Sequence, residues 1–226
     1  MIEPFKHIHQ KYEINGITYP SVTTILGVIN KPFLVPWANK LGREGINSTE
    51  YTKRIADIGT LTHALIQGHL EGEEVSLEGY PEDYKEEAKK GYNSYLLWES
   101  QHQVKPILSE ESFISEDLGF AGTIDALMEI DGKLTLVDFK TSSAIHPEYL
   151  CQLSAYLELY KEKYKTEEKI PAMILKVNKE DKPSFETAYL TDRMKYLSLF
   201  YAAFSLYKAQ QEASKLKLEI NKGESR

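Results

Sequence analysis

A carboxylate and an ammonium close an otherwise apolar stretch, Leu-Thr-Leu-Val-Asp-Phe-Lys, at residues 134–140. In a strand, residues two apart share a face, so Asp138 and Lys140 project together while Phe139 points to the opposite side. Burying such charges is costly unless they are paired or put to use. The spacing therefore predicts a functional site at the end of this strand, although an Asp-x-Lys pair alone is more often a surface ion pair.

A second carboxylate is expected to lie beside the first. Asp125 precedes the Asp131-Gly132 turn by six residues, and Asp138 follows the turn by six. A tight hairpin sets the two carboxylates nearly opposite each other. They repel unless one is protonated or a cation bridges them, and hard oxygen ligands suit Mg²⁺ or Mn²⁺. Such an ion polarises a phosphoryl oxygen and acidifies bound water, which Lys140 can orient, as in a metal-dependent phosphodiesterase.

Short β-rich segments and longer helical patterns must position these residues. The predicted strands cover residues 107–115, 120–130, 133–140, 172–177 and 185–190. The predicted helices cover residues of about 50–70, 81–103 and 147–164, with a last one from about 192. A small hairpin with Asn15-Gly16 as its turn and a short helix capped by Ser21 precede them.

The order of these elements predicts one α/β domain over residues 1–226, built on a mixed sheet. Its helical N-terminal portion covers about 20–103, its sheet-containing core about 104–192, and its C-terminal helix about 192–218. No apolar run approaches the roughly 18 residues of a membrane span, so a spanning protein and a membrane partner are not expected.

The distribution of charge says more than the net charge of −7. Residues 71–87 contain eight acidic side chains against Lys85 alone, and a solvated connector between helices is expected there. Residues 31–54 contain five basic side chains against two acidic ones. Because binding of a polyanion responds to the local field, the net charge does not exclude a nucleic-acid partner.

Cys151 is the only cysteine in the sequence. A disulfide framework, a zinc cluster of thiolates and a four-thiolate iron–sulfur cluster are therefore excluded. A reducing cytoplasm is the expected compartment.

The motifs around the two carboxylates resemble the PD-(D/E)XK nuclease superfamily, particularly its RecB-like exonuclease branch. Asp125 in Gly-Thr-Ile-Asp is similar to the first metal aspartate of that family, and Asp138-Phe-Lys140 is similar to its acidic-x-Lys signature. Gln152 and Tyr156 match the Gln-x-x-x-Tyr helix motif that follows.

Upstream segments extend the resemblance over about residues 19–190. His63 ends a Gly-Thr-x-x-His element that resembles the one supplying a histidine metal ligand in RecB-type nucleases. Residues 19–26 resemble the opening of phage-type and mitochondrial-genome-maintenance exonucleases. The family often places another acidic residue before the first aspartate, and Glu111 is favoured over Glu110 for that place, the choice depending on strand register.

The resemblance implies a restriction-endonuclease-like fold and a divalent-metal-dependent DNA exonuclease. It implies a site for Mg²⁺, which Mn²⁺ can replace, with four ligands: His63, Asp125, Asp138 and the carbonyl of Phe139. It assigns chemistry and strand positioning to Lys140, Gln152, Tyr156 and Glu111, together with Asp125 and Asp138.

The implied partner is DNA, single-stranded or with a free end, in repair, recombination or replication. No helicase motif is present, so a helicase or recombination partner would act in trans, and a cytoplasmic protein of phage or bacterial origin is expected. Basic residues of segment 31–54, with Trp37 and Tyr51, could guide single-stranded DNA, or could form a solvated helical surface. Two alternatives stay open: a non-catalytic binding module on the same fold, and a structure-specific endonuclease.

Overall fold

Residues 11–216 of the 226-residue chain are described in the computed structural model. The N-terminal half is mostly helical and comprises β1 (Glu13–Ile14), β2 (Ile17–Thr18), α1 (Val22–Leu26), α2 (Leu34–Arg43), α3 (Ser48–Glu71) and α4 (Glu82–Glu99). The C-terminal half comprises β3 (Val104–Ser115), β4 (Phe120–Ile130), β5 (Lys133–Lys140), α5 (Pro147–Tyr164), β6 (Ala172–Val177), β7 (Phe185–Tyr189) and α6 (Arg193–Ser214). The last predicted residues of the C-terminal helix, 217 and 218, lie outside the described part.

Strands β3 to β7 form a single mixed sheet in chain order. β3, β4 and β5 pair antiparallel, β6 runs parallel to β5, and β7 is antiparallel to β6. Helix α5 provides the crossover that a parallel pair requires. The predicted fold, a mixed sheet flanked by helices with a helical N-terminal portion, is confirmed. No helix within residues 11–216 is long and apolar enough to cross a membrane.

Local signals account for the small N-terminal elements. Asn15 and Gly16 both have positive φ, 52° and 79°, which is the geometry of the tight hairpin turn between β1 and β2. The side chain of Ser21 accepts a hydrogen bond from the Thr24 N–H at 3.0 Å and caps α1. Both predictions are confirmed.

Strand β3 starts three residues before its predicted start, at Val104. Pro106 argues against a strand, because it cannot donate to a ladder. Here β3 is one of the two edge strands, and the register shifts between Pro106 and Leu108. An edge and a bulge are the positions at which a sheet tolerates proline.

The sheet is covered on both faces, which explains why β5 is apolar on both sides. Leu136 packs with α1, α5 and α6 in one core cluster, together with Tyr156 and Phe200. Val137 and Phe139 pack with α3 and α4 in a second cluster. The predicted division of β5 into two faces is therefore confirmed.

The acidic segment 71–87 is not a connector throughout, and that expectation is wrong for its second half. Residues Glu82 and Asp83 form the first turn of α4, where negative side chains favour the helix dipole. Arg54 of α3 pairs with Asp83 at 3.0 Å and with Glu87 at 2.5 Å. Part of the acidic charge thus holds α4 against α3.

Candidate metal centre and active site

Asp125 and Asp138 lie where the ladder between β4 and β5 ends. The last pair of that ladder joins Ala126 to Val137, so the next position sets Asp125 opposite Asp138, as the hairpin register predicts. There the Phe139 N–H donates to Oδ2 of Asp125 at 2.7 Å. At the end of the β4–β5 ladder, the carboxylate of Asp125 thus accepts the backbone N–H of Phe139.

Helix α5 places two polar side chains over the end of β5. Nζ of Lys140 lies 2.6 Å from Oδ2 of Asp138 and donates to Oε1 of Gln152 at 3.1 Å. The Gln152 amide in turn donates to the hydroxyl of Tyr156 at 2.8 Å. Gln152 and Tyr156 are one helical turn apart and face the same side. Four of the predicted site residues therefore contact one another in sequence: Asp138, Lys140, Gln152 and Tyr156.

Two glycines make these approaches possible, and sequence reasoning missed their importance. A Cβ at Gly122 of β4 would lie 2.6 Å from Cε1 of Tyr156, which is too close for any side chain. A Cβ at Gly59 of α3 would lie 3.0 Å from Oγ1 of Thr141, just after β5. A glycine inside a strand or a helix is a signal of close approach, and it could have identified both positions.

The tight contact at Gly59 brings His63, one turn later, over the same end of the sheet. Nδ1 of His63 lies 3.7 Å from Oδ2 of Asp125, and its ring meets the Phe139 ring edge-on with centroids 6.0 Å apart. In β3, Ser109 and Glu111 pair with Ala126 and Ile124, which sets Glu110 between them opposite Asp125.

Three side chains from different elements converge on one point. His63, Glu110 and Asp125 each offer a ligand atom, and these atoms all lie within 4.8 Å of one another. One imidazole nitrogen and two carboxylates form a donor set that could hold a divalent cation.

The geometry favours Glu110, and not the expected Glu111, as the acidic residue nearest to His63 and Asp125. Glu110 has the left-handed φ of 49°, and it joins the ligand group. Burial, and after it the charge of Glu111, raises the pKa of Tyr164 on α5, so Glu111 lies near α5. Adjacent strand residues face opposite sides, and a local twist at one residue decides which of the two faces the site.

Asp138 is a further buried acid beside the three-residue ligand group. Its side chain is fully buried, and within residues 11–216 neither carboxylate oxygen has a hydrogen bond of good geometry, although Oδ2 approaches Lys140. Asp138 is outside the three-residue ligand group, but its charge acts on Glu110 and on His63. Asp138 is paired with Lys140, and a buried carboxylate next to three metal donors also fits a divalent ion, because a buried charge requires compensation.

Burial and mutual repulsion raise the pKa values of the acidic side chains in the site. Burial, followed by the charges of Asp125 and Asp138, raises the pKa of Glu110 to about 8. Burial raises the pKa of Asp125 and that of Asp138 to about 6 each, against the opposing charge of Lys140. Without a cation, the cluster therefore keeps a proton at neutral pH.

The pKa values of the two basic groups, His63 and Lys140, are shifted in opposite directions. Burial, assisted by the charge of Lys140, lowers the pKa of His63 to about 4, so the imidazole is neutral and able to act as a ligand. Burial also works against the charge of Lys140, yet the Asp138 and Asp125 carboxylates raise its pKa above the ordinary value. Lys140 is therefore an ammonium donor at neutral pH.

A comparison with models of protein families gave a match over most of the chain. The sequence model of the PD-(D/E)XK nuclease superfamily matches residues 38–225. No curated protein matches the chain.

Two solved structures are similar to parts of the chain. A protein from Eubacterium rectale described as a candidate exonuclease is 14% identical with a TM-score of 0.45, over 68% of this chain and 65% of that one. LHK-Exo, solved in complex with dAMP, is 12% identical with a TM-score of 0.33, over 71% of this chain and 86% of that one. This chain thus spans slightly less than two thirds of the first protein.

Proposed function

Because the chain belongs to the PD-(D/E)XK nuclease superfamily, we propose that it hydrolyses DNA phosphodiester bonds as a divalent-metal-dependent exonuclease. The observation that carries this proposal is the convergence of His63, Glu110 and Asp125 beside the buried pair of Asp138 and Lys140. A nuclease needs a cation to neutralise the phosphate and a donor next to it, and these side chains are suited to both tasks.

The metal would be held by His63, Glu110 and Asp125, with Asp138 and the Phe139 carbonyl as further proposed ligands. When bound, the ion polarises a phosphoryl oxygen and lowers the pKa of a coordinated water. Mg²⁺ is the proposed ion, because carboxylate oxygens dominate the donor set, and Mn²⁺ is expected to replace it.

Lys140 acts as a hydrogen-bond donor in this proposal and not as a general base. Its raised pKa keeps Nζ protonated, so the ammonium can orient the attacking water and offset negative charge that develops on the phosphate. Gln152 fixes the position of Nζ through its carbonyl oxygen, and Tyr156 fixes the Gln152 amide. The two α5 residues thus orient the lysine.

The preference for a free DNA end rests on the resemblance of this residue order to the exonuclease branch. A role in repair, recombination or replication rests on the same resemblance. A non-catalytic module is disfavoured, because a buried carboxylate and two neighbouring acids with raised pKa destabilise a site that performs no chemistry.

Degradation of end-labelled linear DNA and of closed circles, single- and double-stranded, tests the proposal. With Mg²⁺ or Mn²⁺, we expect shortening of linear substrates from an end, no cleavage of circles and no reaction in EDTA. Lys140→Ala should lose activity by about 100- to 1,000-fold, the scale for loss of one transition-state donor. Lys161→Ala, a change at a salt-bridged lysine remote from the site, should keep full activity.

The outcomes separate the alternatives. Cleavage of closed circles would identify an endonuclease, and binding without any cleavage would identify a binding module. Full activity of Lys140→Ala, or cleavage in EDTA, would contradict the proposed mechanism.

A further inference from the structure

A third group contacts Lys140, besides Asp138 and Gln152. Nζ of Lys140 lies 4.9 Å from the centroid of the Tyr149 ring, in the first turn of α5. A cation this close to an aromatic face is attracted by the ring. Tyr149 thus places an aromatic ring directly beside the ammonium of the site.

From Tyr149, aromatic rings continue without a break to the protein surface. The rings of Tyr149 and His146 meet edge-on with centroids 5.4 Å apart. The His146 ring stacks on that of Phe33 at 6.0 Å, with only 5° between the two planes. We call Phe33, His146 and Tyr149 the aromatic path.

The outer end of the path is exposed. Phe33 keeps 53% of its surface accessible although its ring is stacked on His146. Next to it, Leu34 and Val35 are 44% and 68% exposed, and Leu41 is the only buried residue of α2. Neighbouring apolar side chains left open on one surface indicate a binding surface.

Basic side chains of the same segment favour an anionic occupant. Lys31 pairs with Glu148 at 2.8 Å, and Arg54 pairs with Asp83 and Glu87. The positive charge that segment 31–54 adds to the surface therefore rests on Lys40, Arg43 and Lys53. Lys40 and Arg43 lie in the last turn of α2. A second pair of rings, Trp37 and Tyr51, lies in the same segment with centroids 6.0 Å apart. Aromatic faces among basic side chains are typical of surfaces that bind single-stranded nucleic acid, whose bases stack while its phosphates contact the cations.

We propose that the aromatic path binds the bases of the single-stranded segment adjoining the scissile phosphate, with Phe33 as the outermost stacking platform. The inference rests on the proposed nuclease function and adds the strand state and the direction in which the substrate leaves the site. A double helix keeps its bases stacked on each other, so it cannot use the path.

Binding measured in EDTA separates this inference from catalysis. Fluorescence anisotropy with a labelled single-stranded oligonucleotide gives the affinity of the full chain, and we compare Phe33→Ala, Phe33→Leu and Phe33→Tyr. Loss of one stacked base should weaken binding by about 5- to 100-fold in the first two variants. Phe33→Tyr keeps the ring and should bind within about twofold of the unchanged protein. Tyr189→Ala is the matched control, because Tyr189 is equally exposed on the edge strand β7.

An abasic scan identifies the contact. If Phe33 stacks on one base, an oligonucleotide that lacks this base should bind the unchanged protein more weakly. With that oligonucleotide alone, Phe33→Leu should cause no further loss of affinity. Equal affinity of Phe33→Leu and the unchanged protein would overturn the path, as would an equal loss in Tyr189→Ala or additive effects at every abasic position.

The failure of the path differs from the failure of the proposed function. If Phe33→Leu binds and degrades DNA as the unchanged protein does, the proposed aromatic path is contradicted and the proposed nuclease function stands. If binding depends on the Phe33 ring but the protein cleaves no DNA, the proposed exonuclease function is contradicted and the aromatic path stands.

Discussion

The ammonium of Lys140 lies 2.6 Å from Oδ2 of Asp138, a fully buried carboxylate whose two oxygens have no hydrogen bond of good geometry within residues 11–216. Each group thus depends on the other while no cation is bound. Removal of one partner of a buried pair leaves the other uncompensated, which is far more costly than the pair itself is worth.

Lys140→Met should therefore reduce thermal stability by an amount that depends on pH. Without the ammonium, the already raised pKa of Asp138 rises further, and a raised folded-state pKa contributes stability at low pH that is lost as pH rises through it. We expect a larger loss of Tm at pH 8.5 than at pH 5.5, in EDTA. An equal loss at both pH values would contradict the dependence of Asp138 on Lys140, and Lys161→Met serves as the control.

The metal-free protein should lose stability between pH 6.5 and 8.5. The pKa of Glu110, raised by burial and by its acidic neighbours to about 8, lies above the unfolded value of 4.5, so the folded state binds more protons in this window. His63 has a lowered pKa, so its titration changes stability only below its ordinary pKa of 6.5, outside this pH window. Thermal unfolding in EDTA should show the decline, and Glu110→Gln should remove most of it.

Mg²⁺ or Mn²⁺ should raise Tm at pH 8, because an ion bound only to the folded state stabilises it by about 2.7 kcal/mol at 100 times its Kd. Glu110→Gln and His63→Asn should weaken this effect by about tenfold or more in Kd, measured by calorimetric titration. Glu111→Gln changes the neighbouring acid, outside the ligand group, and should leave Kd unchanged. A larger effect of Glu111→Gln than of Glu110→Gln would contradict the orientation of β3.

Gly122→Ala should destabilise the protein by about 1–3 kcal/mol, the usual cost of an extra group in a packed core. The added Cβ meets Tyr156 at 2.6 Å, so the ring must move and Gln152 loses its partner. DNA degradation should fall together with Tm. Gly42→Ala is the matched control in α2, where a Cβ meets nothing within 4 Å and the Tm should stay constant or rise slightly.

Local chemistry makes the centre of the site predictable from sequence. The Asp131-Gly132 turn fixes the register of β4 on β5, and a register fixes which carboxylates meet. Pro147 sets the start of α5, and helical spacing then sets Gln152 and Tyr156 on one side.

Other features depend on contacts between distant segments. The left-handed turn at Glu110 has no signature in the residue types around it, so the choice between two adjacent glutamates is open in the sequence. The pairing of Arg54 with Asp83 and Glu87 is equally invisible, because it requires α3 and α4 to be packed side by side. Sequence patterns describe local geometry, whereas these features follow from packing.

The three-residue ligand group joins three separate regions of the chain: helix α3, edge strand β3 and strand β4. The group is complete only when α3, β3 and β4 are packed together. An unfolded chain presents no such group, so ion binding is coupled to folding. Release of the ion during unfolding should coincide with loss of the sheet, which makes the cation a reporter of whether the whole molecule unfolds as one cooperative unit.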